Sequence, residues 1–212
     1  LKIKQYILEG GFLFAMCSAT DSFDIALAAR NVDIVESVFD GTPSDPNYQS
    51  KLDYSLGIAF ENYSLITNPM IYEYSNIDYP SNDKPSIKTA EQDYFTLFEF
   101  SAKWDPVPTM LTQNHVGIIN GFMGQTTGFN RANLKKHIVI LAEVENDPQI
   151  KYIHGNTGRG TFTFYAGHDP EDYTHKIGDP VTDLSLHRNS PGYRLILNNV
   201  LFPAARKKDR KT

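Results

Sequence analysis

Cysteine is nearly absent from this sequence: Cys17 stands alone among 212 residues. One cysteine excludes an internal disulfide and any CxxC zinc or redox site, and it leaves the redox compartment open. Long apolar runs are missing as well, and none approaches the ~18 residues of a membrane-spanning helix. Basic charge is short: 20 Lys and Arg against 25 Asp and Glu give a net charge of −5, which argues against nucleic acid because phosphate binding needs a basic footprint. The basic cluster in the tail at 206–212, Arg206-Lys207-Lys208-Asp209-Arg210-Lys211, reads as a solvated terminus. There is no HExxH or similarly spaced pair of ligands, so no metal is expected, and no motif calls for a cofactor. Gly158-Arg159-Gly160 lacks the spacing of a phosphate loop and precedes a strand pattern, so it reads as a hairpin turn.

What is present suits a globular domain. Hydrophobic residues make up 41% and charged residues 21%, enough apolar matter for a core. Residues 1–205 read as a single domain. In Leu1–Glu9, Ile3, Tyr6 and Ile7 share a helical face, and Gly10-Gly11 supplies a stop. A chain that opens inside a helix without an initiator Met leads us to expect further strands, and a targeting signal, upstream. Gly11–Met16 is a continuous apolar run, suited to a strand buried on both faces of a parallel sheet. Thr20, Asp21 and Ser22 offer N-cap oxygens for a helix over 23–29. Helix, strand, helix is the alternation of an α/β fold. From about 40 to 105 the texture becomes irregular, rich in Tyr, Asn and Pro, and reads as an insertion with short strands. Strand patterns return at Thr109–Thr112, His137–Glu143 and 153–165, and Ser190-Pro191 opens a last helix, with Ser as cap and Pro at its first position.

Two stretches carry candidate chemistry. In Ala15-Met16-Cys17-Ser18-Ala19, small residues two before and two after Cys17 suit a nucleophile elbow, a sharp strand-to-helix turn whose amides stabilise a thiolate or an oxyanion. The competing reading is a small hydrophobe at the end of a core strand. In Ala166–Asp172, His168 follows a strand at the sheet edge where α/β folds place their sites, with Asp169 or Glu171 to orient it. A histidine and carboxylates that cap the next turn are the alternative. His115, His154, His175 and His187 read as scattered among loops. Trp104 and the tyrosines suit either a sugar-stacking face or packing within the insertion.

Gly10–Ser22 (GGFLFAMCSATDS) resembles the GG-apolar-HSATD segment of the trehalose-utilisation (ThuA-like) family. Gly158–His168 (GRGTFTFYAGH) resembles that family's GRGRVFYTSLGH, and Arg194–Phe202 fits its last helix. The resemblance implies a class I glutamine amidotransferase-like fold, a flavodoxin-like parallel sheet with helices on both faces, and metabolism of sugars or oxidised sugars. At position 17 the family usually has His, where amidotransferases have Cys. Over nearly its whole length the chain also resembles Bacteroidota proteins that carry the label asparagine synthetase B. Enzymes of that type use an N-terminal cysteine and an SGGxDS loop, neither of which occurs in these residues. The relatives look exported, which implies the periplasm or cell envelope, with the cytoplasm as alternative. The expected activity is action on, or binding of, a carbohydrate-derived small molecule. Cys17, His168, Glu171 and Asp169 are the candidate catalytic residues, and Ser18, Thr20, Asp21, His115 and Tyr165 the candidate substrate-binding residues. Two other readings stand beside it: a Cys-His-Glu amidohydrolase or amidotransferase, and a non-catalytic subunit of an envelope complex with a protein partner or as an oligomer.

Overall fold

The computed structural model describes residues 1–71, 73–79, 94–97, 118–120, 122–123, 128–170, 178 and 180–204. The strand expected at 109–112, the candidates His115, Glu171 and His175, Trp104 and the basic tail lie outside them. Helix α1 is Lys2–Leu8, followed by strand β1, Phe12–Met16, and helix α2, Ser18–Ala28. Two short helices follow, α3 at Ser37–Asp40 and α4 at Tyr48–Lys51. The remaining strands are β2 Tyr94–Leu97, β3 Ile118–Asn120, β4 Phe122–Met123, β5 Phe129–Asn130, β6 Val139–Glu143, β7 Gln149–Thr157, β8 Gly160–Tyr165 and β9 Asp169–Pro170. Helix α5, Pro191–Leu201, is capped as its sequence implies: the Ser190 hydroxyl accepts from the Tyr193 amide at 3.2 Å, with Pro191 at the first position.

Seven strands among the described residues form one sheet in the order β1-β8-β7-β6-β2-β3, with β5 beside β7. Helices cover both of its faces, as expected for an α/β fold. The sheet is mixed where a parallel one was expected. β1 and β8 run parallel, whereas β8, β7, β6, β2 and β3 pair antiparallel in succession. The cause is local. Thr157 pairs with Gly160 across a two-residue turn in which Gly158 takes φ +61°, and so tight a turn joins only antiparallel strands. Gly160 then runs so close to the start of β1 that an added Cβ would lie 2.2 Å from the Gly11 carbonyl oxygen.

Three further expectations are corrected. β1 is half-buried except for Ala15 and lies at the border of the described sheet, paired only with β8. Of the α1 face, Ile7 is buried while Ile3 and Tyr6 are exposed. α2 starts at Ser18, so Thr20, Asp21 and Ser22 sit inside its first turns and Cys17 is the N-cap residue.

On one face of the sheet α2 packs with Ile58, Ala59, Phe60, Tyr63 and Ile77 against Phe162, Phe164 and Ile153. The irregular segment after residue 40 therefore supplies core. On the other face Leu195 of α5 packs with Tyr152, Tyr165 and Leu141. Tyr152 and Tyr165 stack there with centroids 4.0 Å apart, and the Tyr152 hydroxyl receives a hydrogen bond from Asn199 Nδ2 at 3.0 Å.

Candidate functional site

The site grows from the one parallel strand pair. Met16 lies opposite Tyr165, so β1 and β8 end together at one edge of the sheet. The chain then turns sharply. The Cys17 amide donates to the Tyr165 carbonyl at 3.0 Å, and the Cys17 carbonyl accepts from both the amide (3.1 Å) and the hydroxyl (2.7 Å) of Thr20. Between these anchors Cys17 takes φ 54° and ψ −141°, a conformation that L residues with a Cβ rarely adopt. It is held because the ladder to β8 and the first turn of α2 fix both of its peptide planes. The first amides of α2, those of Ser18 and Ala19, have no acceptor within the helix. They make that end of α2 electropositive beside the half-buried Cys17.

From the neighbouring strand end, Ala166, Gly167 (φ +80°) and the exposed His168 leave at the same edge. The Ala166 amide donates to the Lys151 carbonyl of β7 at 2.9 Å, fixing that exit. The backbone thus brings Cys17 and His168 to adjoining strand ends. Asp169 follows in β9. Thr20, Asp21 and Tyr165 are buried; Asp21 Oδ1 accepts from the Ser22 amide at 2.9 Å. Ser18 is half-buried, and its carbonyl accepts from the Ser22 hydroxyl. Among the described residues no three His, Cys, Asp or Glu side chains gather as a metal site, and no helix is long and apolar enough to cross a membrane.

Two buried polar residues escaped the sequence reading and a third was misplaced by it. Asp24 of α2 is fully buried, and its carboxylate accepts from the amides of Ile58 (2.6 Å), Ala59 (3.1 Å) and Phe60 (2.7 Å). Burial pushes this carboxyl above its ordinary range, against the opposing pull of the three amides and of Lys135. Lys135 Nζ donates to the carbonyls of Tyr54 (2.7 Å) and Gly57 (2.6 Å) in the same loop. His154, the misplaced residue, was expected on a loop but lies within β7. It is buried, with Nδ1 3.0 Å from the Thr163 hydroxyl, and burial depresses its pKa to about 4. Glu73, the other that escaped, is 7% exposed. One signal was available for Asp24: it falls one turn before Ala28 on the helical face that also holds Ile25, where an unpartnered charge would be costly. Glu73 and His154 gave no such signal, because their burial depends on distant chain segments.

No family model matches the chain, and neither a curated protein nor a solved structure matches it.

Proposed function

We propose that this chain is a ThuA-like domain, a mixed-sheet form of the class I amidotransferase-like type, placed in the cell envelope, which acts on or binds a carbohydrate-derived small molecule at the edge marked by Cys17 and His168. One observation carries the location: Cys17 is held at φ 54° and ψ −141° between a parallel strand and an 11-residue helix. Strained non-glycine backbone at a strand end is kept where the surrounding structure over-determines it, and such positions cluster at functional sites. The class of ligand rests on the likeness of Gly10–Ser22 and Gly158–His168 to that family's segments.

The same strained turn favours a second, chemical reading. Cys17 Sγ, as thiolate, attacks a carbonyl carbon, and the Ser18 and Ala19 amides stabilise the oxyanion. The C–N bond breaks, the leaving amine takes a proton from the His168 imidazolium, and water hydrolyses the thioester. Asp169 or Glu171 orients the imidazole.

Reaction of the folded chain with iodoacetamide, followed by mass spectrometry across pH, tests both readings. Modification of Cys17 well below pH ~8.5, the ordinary range of a thiol, and its slowing by mono- or disaccharides are the expected results. Modification only after denaturation would remove the chemical reading. Absence of protection by any sugar, together with no thermal stabilisation by one, would remove the carbohydrate reading.

A further inference from the structure

A hollow lies along α2, away from the Cys17 turn. It has a volume of about 590 Å³ and is walled by Ser22, Ile25 and Ala26 of α2, by residues 34–36 and Phe39, and by the hairpin-like segment of residues 65–71 and 73–74. That segment is a built structure. Leu65 bridges Ser75, the Ile66 amide donates to the Tyr74 carbonyl at 2.8 Å, and Asn68 Oδ1 accepts from the Met70 amide at 3.0 Å. The volume is that of a small-molecule site, and most of the wall is apolar, from Ile25, Ile34, Phe39, Leu65 and Ile66.

The polar part is unusual. The acidic and basic side chains in the wall are Glu36 and Glu73, with no Lys, Arg or His. Glu73 is 7% exposed, and its Oε2 is buried with no hydrogen-bond partner. A carboxylate oxygen kept out of water without a donor is unfavourable, and burial alone gives the fold no reason to retain one. A ligand that brings its own donor removes the deficit.

We propose that this cavity binds an amphiphilic small molecule with an apolar body and a protonated amine, the amine donating to Glu73 and the body lying against Ile25, Phe39 and Ile66. An ammonium head satisfies Glu73 with a charge-assisted hydrogen bond. An alcohol head of the same length supplies a neutral and weaker bond, and a carboxylate head is repelled by both glutamates. The site is independent of the chemistry at Cys17.

The test uses the intact chain and three probes of one skeleton: 4-phenylbutylammonium, 4-phenylbutanol and 4-phenylbutyrate, each titrated by calorimetry at neutral pH. The ammonium should bind at least tenfold more tightly than the alcohol, and the carboxylate more weakly than either. Glu73→Gln should abolish the preference for ammonium over alcohol while leaving affinity for the alcohol within about twofold. Phe39→Ala should weaken ammonium and alcohol alike. Melting of Glu73→Gln without ligand reports whether the variant folds, and a melting point at or above that of the parent is expected. Equal binding of ammonium and alcohol, or an undiminished preference in a folded Glu73→Gln variant, overturns the proposal. If that variant does not fold, Glu73→Asp, which keeps the charge but draws it back from the cavity, replaces it, and an ammonium preference undiminished in folded Glu73→Asp overturns the proposal.

Discussion

Cys17 shows how much one residue's conformation depends on its surroundings. The small neighbours Ala15 and Ala19 and the apolar run before the turn were enough to place a sharp strand-to-helix turn at position 17. The positive φ itself was not legible, because it arises from the hydrogen bond to the Tyr165 carbonyl, 148 residues further along the chain. Strain of this kind costs about 1–3 kcal/mol in a residue with a Cβ and little in glycine, which gives back part of the gain through its greater freedom when unfolded. Cys17→Gly should therefore be more stable than Cys17→Ala by about 1 kcal/mol, and Cys17→Val less stable than Cys17→Ala by at least as much. Urea denaturation of the three variants measures the order. Alanine and glycine of equal stability would mean that the turn relaxes when the sulfur is removed.

At the scale of elements, α1, β1, the β7–β8 hairpin and α5 could be read from periodicity, from Gly158-Arg159-Gly160 and from the Ser190-Pro191 cap. What could not be read was the bond between α2 and the chain after residue 40. Asp24 makes that bond by gathering the three successive amides of Ile58, Ala59 and Phe60. Those amides belong to no ladder that a sequence pattern would reveal, so the segment looked like an excursion and is a wall of the core. Asp24→Ala leaves three buried donors unsatisfied and should destabilise the protein by about 3 kcal/mol. Asp24→Asn, which keeps one acceptor oxygen, should lose less. Chemical denaturation gives both values, and a loss below about 1 kcal/mol for alanine would show that residues 57–60 are held by packing alone.

For the whole molecule, burial of His154 sets a pH dependence. Its pKa falls from an ordinary 6.5 to about 4 in the folded protein because an imidazolium there would be out of water. The unfolded chain takes up this proton below pH 6.5, and the folded chain only near 4. The stability from a neutral His154 is thus complete above pH 6.5 and is lost as the pH falls toward 4, by about 3 kcal/mol in all. His154→Gln should flatten the profile of melting temperature against pH in that window. A parent profile already flat between 6.5 and 4 would mean that water reaches the ring. The sheet border has a consequence on another timescale. β1 bonds to β8 through alternate residues, since the Cys17 amide points at Tyr165 and direction repeats every second residue along a strand. The amides of Leu13 and Ala15 therefore face β8, while those of Phe12, Phe14 and Met16 face outward. Deuterium should enter the second set first, tracing the border of the sheet one residue in two, and any strand that docked along β1 would announce itself by slowing those three amides alone.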